Sequence, residues 1–285
     1  MNIQTNSAMK LIADSGSTKT TWALIDSKSC IQQLTTDGIN PYYESQDEIA
    51  KVIEQQLFLK LKTLNITEVW FYGAGCNDPE KNRKVSLAVS QSFGNAEVHI
   101  ETDLTGAARA LCKHTDGIVC ILGTGSNSCL YQDGEIKQNT SPLGFILGDE
   151  GSGAVLGRQL VADYLKGQMP DNLQKAFQEK FQPNRADILN AVYRQQFPNR
   201  YLASFTPFLS EHIEDTYTVH LINNAFDSFI RRNITPYGHK ELPLHFVGSV
   251  AYVFRLYLQD AVARAGYRMG KIVRTPMEGL IQYHL

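Results

Sequence analysis

The chain reads as an α/β protein of two lobes, each following a three-strand, helix, strand, helix order (βββαβα), with the lobes facing each other across a cleft. Three observations predict this. Near the start, Met9–Asp26 (MKLIADSGSTKTTWALID) places a glycine- and hydroxyl-rich turn between two apolar segments, and Ile118–Gln132 (IVCILGTGSNSCLYQ) repeats the pattern. After each recurrence, strand-like and helix-like periodicities alternate. A length of 285 residues, 43% of them apolar, can bury a large core and form two domains.

The elements follow in order. Lys10–Ala13 and Thr21–Ile25 are expected as strands, being rich in β-branched and apolar residues, with Asp14–Thr20 as the turn between them. Cys30–Thr35 is a third strand and Asp37–Pro41 a loop. Ser45 and Glu48 have capping-box spacing, and Ile49, Val52, Ile53, Leu57, Leu61 and Leu64 recur at helical intervals, so one helix is expected as far as Leu64. Val69–Tyr72 is a strand ending in Gly73-Ala74-Gly75. Pro79 opens a helix to Ser92, Ala96–Thr102 is a strand, and Leu104–Leu111 is a helix.

The second half begins with strands at Ile118–Leu122, Ser128–Gln132 and Glu135–Gln138, the last two joined by an Asp133-Gly134 hairpin turn. Gly151–Gly238 is mostly helical. Leu242–Val247 is expected as the final strand, running through Gly248-Ser249 into a helix over Ala251–Ala265. The resulting domains are 9–106, joined by 274–285, and 107–273. Hinges are expected near Thr105–Lys113 and Arg274–Leu285.

Charge and composition exclude several classes. A formal net charge of −2 provides no basic field for nucleic acid or an anionic membrane, and no apolar run is long enough to span a bilayer. Met1–Ala8 lacks the basic and apolar regions of a secretory leader and reads as an extension ahead of a start at Met9, so a cytoplasmic protein is expected. The five cysteines (Cys30, Cys76, Cys112, Cys120, Cys129) form no C-x-x-C pair and read as small, reduced hydrophobes. The seven histidines are dispersed without metal-ligand spacing, and Arg231-Arg232 and Lys10 are too isolated to make a nucleic-acid surface.

The two turns carry the chemistry. Glycines let backbone N–H groups approach an anion, while hydroxyls and Lys19 add donors. An exposed polar turn is the alternative. Asp14 fits an anion cradle only if a cation sits between them. The Gly248-Ser249 junction, a strand entering a helix, offers a flat backbone surface and a helix N-terminus to a nucleotide. No G-x-x-x-x-G-K-[ST] or strand-linked G-x-G-x-x-G is present, which excludes a P-loop and leaves a dinucleotide fold unsupported. Locally, Asp103 reads either as the cap of the following helix or as a carboxylate at a strand end able to take a proton. Asp149 and Glu150 read either as caps or as ligand contacts. Tyr252, Phe254 and Tyr257 read as core before base stacking.

The segments DSGSTKT, ILGTGSNS, GDEGSG and HFVGSVA, in that order, resemble the acetate- and sugar-kinase/Hsp70/actin superfamily. Within it the chain is similar to the BadF/BadG/BcrA/BcrD-type ATPase family and its N-acetylglucosamine kinase-like branch. The resemblance implies two actin-like, ribonuclease H-like lobes and ATP-dependent phosphorylation of an amino sugar at a primary hydroxyl, with ATP and Mg²⁺ as cofactors. It implies Asp14 as the Mg²⁺ residue (through water) and Gly16, Ser17, Thr18 and Lys19 as the first phosphate turn. Gly123, Thr124, Gly125, Ser126 and Asn127 would form the second turn, with Thr124 also near the sugar, and Gly248 and Ser249 the adenosine motif. Asp103 would be the general base, and Asn40, Asp103, Leu143, Gly144 and Asp149 would contact the sugar. Two departures are visible. Ser249 stands where the family usually has glycine, and Pro142-Leu143-Gly144-Phe145 lacks the tryptophan such kinases carry before GDEGS. Partners implied are a small-molecule sugar, no nucleic acid, no membrane, and compatibility with a homodimer. Two alternatives use the same fold: an ATPase activator of an acyl-CoA dehydratase or reductase, which the cysteine spacing does not support, and a non-catalytic sugar or nucleotide binder.

Overall fold

The structure is a computed structural model describing residues 8–16, 18–61 and 65–285. Contacts divide the chain into two units. The first runs to His114 and regains Pro276–Leu285, and the second is Thr115–Thr275. The division falls after the helix that begins at Asp103, leaving that helix whole within the first unit.

In the first unit, β1 (Met9–Ser15), β2 (Lys19–Ile25), β3 (Cys30–Asp37), β4 (Ile66–Gly73) and β5 (Glu97–Thr102) form one sheet in the order β3-β2-β1-β4-β5. The hairpin pairs are antiparallel, and β4 and β5 run parallel to β1. Both faces are covered, so β1 shows two-sided burial rather than alternation: Leu11, Ile12 and Ala13 are all fully buried. Leu11 and Ala13 pack with Trp22, Phe71 and the helices α1 (Gln46–Val52) and α2 (Pro79–Ser92). Ile12 and Tyr72 pack on the other side with Ala110 of α3 (Asp103–Cys112) and Leu280 of the C-terminal helix Met277–His284. Arg109 anchors α3 by donating to Tyr72 Oη and Glu101 Oε1, each at 3.0 Å.

The second unit repeats the topology. β6 (Gly117–Leu122), β7 (Ser126–Gln132), β8 (Glu135–Thr140), β9 (Pro243–Val247) and β10 (Arg268–Val273) lie in the order β10-β9-β6-β7-β8. Read from its own first strand, this is the strand order of the first unit. Between β8 and β9 come α4 (Gly144–Leu147), α5 (Gly153–Leu165), α6 (Asp171–Phe181), α7 (Arg185–Tyr193), α8 (Pro198–Ala203), α9 (Pro207–Glu211) and α10 (Thr216–Phe229). Their phenylalanines, including Phe177, Phe205, Phe208 and Phe226, form one cluster over β6 and β9. α11 (Ser249–Val253) and α12 (Arg255–Arg264) complete the unit, and the C-terminal helix is α13.

Several expectations need correction. Asp14 and Ser15 belong to β1, and Ser126 and Asn127 to β7, rather than to turns, because their ladder partners continue to Thr21, Thr20, Leu122 and Ile121. The expected single helix after Ser45 does start with its capping box. It then widens at Val52 into a π-turn, Ile53–Leu57, and tightens at Phe58–Lys60. Buried Ile49, Ile53 and Leu57 recur every four residues, more than the 3.6 of an α-helix, and the wider turn keeps them on one face. Leu64 lies outside the described residues. The helix expected over Ala251–Ala265 breaks at Phe254, whose ring is buried. Leu242–Val247 is not the last strand: β10 pairs with β9 beyond it, interrupted between Met269 and Ile272, where the Lys271 N–H donates to His245 Nδ1 at 3.0 Å.

Candidate active site

The first unit assembles its candidate residues at the C-terminal ends of β1, β4 and β5. Asp14 is the penultimate residue of β1. After it the chain turns tightly, with the Gly16 N–H donating to the Lys19 carbonyl at 3.1 Å, and Gly16, Thr18 and Lys19 are exposed. Ser17 lies outside the described residues. The neighbouring hydroxyls face inward. Ser15 Oγ lies 2.6 Å from Thr20 Oγ1, donates to the Ile39 carbonyl at 2.9 Å and accepts from the Ile39 N–H at 3.1 Å. One buried serine thus ties the hairpin to the Gly38-Ile39-Asn40 loop. Asn40 is buried, its Oδ1 accepts from the Tyr42 N–H at 3.0 Å, and it lies against Gly75. Gly75 has φ +82°, and a Cβ there would come within 2.4 Å of Asn40 Oδ1, so only glycine fits.

Asp103 is the first residue of α3, and it is not the cap. Thr102 is the cap, its Oγ1 accepting from the Thr105 N–H at 3.0 Å, while Asp103 Oδ1 accepts from its neighbour Leu104 at 2.9 Å. Burial raises the Asp103 carboxyl above its ordinary range, with the Leu104 N–H opposing. Asp14 is pushed up to about 7, first by burial and then by the Asp103 charge, with Lys19 pulling the other way. Cys76 shares this environment. Its thiol rises to about 12 through burial and the charges of Asp103 and Asp78. Two neighbouring carboxylates with so little counter-charge fit a cation, which would relieve both. Among the described residues no three His, Cys, Asp or Glu side chains are placed to hold a metal ion together. A hard cation here would therefore take one carboxylate, water and ligand oxygens, the donor set magnesium favours.

The second unit gathers its residues around the β6–β7 turn. The Gly123 N–H donates to the Gly125 carbonyl at 3.0 Å. In turn, the Gly123 and Thr124 carbonyls accept from the Gly153 and Ala154 N–H groups at 2.8 and 3.0 Å. Gly248 has φ +128°, and a Cβ on it would lie 2.2 Å from the Leu122 carbonyl oxygen, so the β9–α11 junction lies directly on the end of β6. Ser249 beside it is exposed. Phe254 is core, as expected, but Tyr252 is exposed, and Tyr257 donates from its hydroxyl to the Ile213 carbonyl at 3.0 Å.

Asp149 also reaches this turn: its Oδ2 lies 3.0 Å from where a Cβ on Gly125 would stand, and it accepts from the Ser126 N–H. It holds a left-handed backbone, φ 54°, which costs about 1 kcal/mol or more in a non-glycine residue. Burial raises it to about 6, the Ser126 N–H opposes, and the Glu150 charge adds. Neither acid caps α5, because Ser152 does so through Val155. Glu150 is held elsewhere, paired with Arg232 Nε and accepting from Asn233 Nδ2 at 3.1 Å. Asp149, Ser126, Leu143 and Gly148 line a pocket of about 200 Å³ together with Glu150, Arg232 and Asn233. Leu143 is 56% exposed at its rim, and Gly144 opens α4 next to it.

Sequence reasoning missed Gly75, Cys76, Arg232 and Asn233. Gly75 alone carried a local sign, as the end of a Gly-Ala-Gly run after a strand. The other three are placed by contacts across long stretches of chain.

No family description and no curated protein sequence matches the chain. Solved structures do. A protein of Porphyromonas gingivalis is 46% identical over 97% of this chain and 98% of its own, with a TM-score of 0.93. One from Chromobacterium violaceum matches 98% of this chain and 100% of its own at 18% identity, TM-score 0.79. Both are described as putative N-acetylglucosamine kinases. A ROK family glucokinase from Streptomyces griseus, solved with glucose and AMPPNP, matches over 97% and 98% at 14% identity, TM-score 0.59. The last two likenesses establish a shared fold.

Proposed function

The chain belongs to the N-acetylglucosamine kinase-like family of actin-fold sugar kinases, and from that premise we propose that it transfers the γ-phosphoryl group of ATP to a primary hydroxyl of N-acetylglucosamine or a close relative. The observation that carries this reading is the freedom of Asp103. With Thr102 as the cap, the carboxylate at the end of β5 has no helix-terminating work. In the proposed step Asp103 accepts the sugar hydroxyl's proton as that oxygen bonds to the γ-phosphorus. The bond from phosphorus to the β–γ bridging oxygen breaks, and ADP leaves. A raised pKa suits this role, because a more basic carboxylate takes the proton more readily once ionised.

Gly16–Lys19 and Gly123–Ser126 would each hold nucleotide phosphate oxygens, Gly248 and Ser249 would lie against adenosine, and Asn40, Leu143, Gly144, Thr124 and Asp149 would contact sugar. Asp14 would hold Mg²⁺ through water. Bound there, the ion neutralises charge on the phosphates. The four segments that resemble the BadF-type ATPases support the same assignment of roles.

Asp103→Asn tests the reading. Sugar-dependent ADP release should fall by about 10²- to 10⁴-fold, the range of a general base, while affinity for an ATP analogue, measured by calorimetry, stays within a few fold. Turnover near the wild-type rate would remove Asp103 from the reaction. A coupled ADP-release screen over glucosamine, N-acetylglucosamine, N-acetylmuramic acid, N-acetylmannosamine and glucose identifies the acceptor.

A further inference from the structure

A second cavity in this unit is larger than the one that contains Asp149. It measures about 590 Å³, within the range of small-molecule sites, and lies among α4, α5, α10 and the π-turn Ile230–Ile234. Its lining combines two chemistries. Ile146, Leu147, Val155 and Leu221 are apolar, and Ile146 and Leu147 are 71% and 69% exposed, unusual for side chains of that size on a four-residue helix. Among them lie Arg158, Arg231, Arg232 and His220.

The cavity's two acids are already engaged. Asp163 accepts from Tyr217 Oη at 2.7 Å and Gln159 Nε2 at 2.8 Å, and Glu150 is held by Arg232 and Asn233. Arg158 donates to the Phe145 carbonyl at 2.6 Å, a neutral acceptor that leaves its charge uncompensated. The Arg231 guanidinium has no hydrogen-bond or ion-pair partner among the described residues. Three guanidiniums against two carboxylates leave the lining one positive charge in excess, and that excess among apolar side chains suits a phosphate monoester with an apolar body. The planar guanidinium pairs with phosphate oxygens, and the apolar side chains cover the remainder.

We propose that this cavity is a second ligand site, selective for such a phosphate monoester, and that its occupancy is felt at the Asp149 pocket. Leu147, Gly148, Glu150 and Arg232 line both cavities. A phosphate that draws Arg232 toward itself loosens its hold on Glu150, the neighbour whose charge acts on Asp149. The binding stands independently of the kinase reading, while its effect on sugar turnover rests on it.

Phenyl phosphate is the probe, with inorganic phosphate and phenol as controls, titrated calorimetrically into the full chain already saturated with AMPPNP and N-acetylglucosamine. Phenyl phosphate should bind more tightly than either control, and Arg231→Glu should weaken it on the order of tenfold or more. In kinetic assays it should shift the sugar KM of the wild type and leave that of Arg231→Glu unmoved. Binding abolished by AMPPNP or the sugar, binding equal in Arg231→Glu, or no heat at millimolar phenyl phosphate would each overturn the site. Intact binding with no shift in KM, in an enzyme that turns over sugar, would overturn the coupling. Intact binding in a protein that phosphorylates no sugar would count against the kinase reading and leave the site standing.

Discussion

The two glycine-rich turns occupy the same place in the same strand order and are built in opposite ways. The turn after β6 is pinned on every side. It closes on itself, receives two N–H groups from the start of α5, carries the Asp149 carboxylate, and has Gly248 pressed on the strand before it. Among the described residues, the turn after β1 closes through Gly16 and is tied to a loop through Gly38 and Ser15, while Gly16, Thr18 and Lys19 face solvent. One is organised in advance. The other keeps Thr18 and Lys19 in water and has close beside it two carboxylates that a cation would relieve. Similar local sequence therefore does not imply similar mechanics; neighbours far along the chain decide which turn is rigid.

The largest effect expected from this contrast is on Gly248. Gly248→Ala forces a Cβ into the Leu122 carbonyl at a left-handed φ and should destabilise the second unit by about 3 kcal/mol or more, read by denaturant unfolding. The matching change in the open turn, Gly16→Ala, meets nothing closer than the Lys19 carbonyl at 3.8 Å and should leave unfolding within about 0.5 kcal/mol of wild type. If the two variants unfold alike, the contrast between the turns is wrong.

Next in size is a pH effect at Asp14. Its folded pKa of about 7 lies above the ordinary carboxylate value near 3.8. Stability from the protonated carboxyl is therefore complete below about pH 4 and lost as pH rises through 7. Asp14→Asn should match wild type in Tm at the acid end and exceed it increasingly up to pH 8, in metal-free buffer. Adding Mg²⁺ with an ATP analogue should raise the wild-type Tm more than the variant's. An Asn variant less stable at pH 8 would refute the idea of an uncompensated carboxylate.

Smallest is Thr102→Ala, which should cost about 1 kcal/mol by removing the cap of α3. Asp103→Asn should cost less. The reverse order, in the same unfolding assay, would return Asp103 to a capping role.

Where sequence signals were local, they read through. Ser45 with Glu48, Pro79 at a helix start, and Asp133-Gly134 with both residues at positive φ each encode their structure within four residues. The hairpin part of each sheet, β1-β2-β3 and β6-β7-β8, was implicit in the repeated turns. β10 was hidden because Gly270 and a kink over His245 break its alternation, and α13 because a helix of eight residues leaves little periodicity to detect. At the site, Asp14, Asp103 and Asp149 stood out as carboxylates in glycine- or strand-end settings. The capping alternatives for Asp103 and Asp149 fell because Thr102 and Ser152 took that work. The Glu150–Arg232 pair spans more than eighty residues of chain, and no local pattern carries such a contact.

The return of the chain at Pro276 has an engineering consequence. Thr115–Thr275 is one uninterrupted stretch, entered and left at single junctions, so it could be exchanged as a cassette between relatives without rewiring its host. The host has no such independence: an early stop that deleted α13 would strip Leu280 from beneath Ile12 and Tyr72. A frameshift within α13 would therefore be felt on the sheet that carries Asp14.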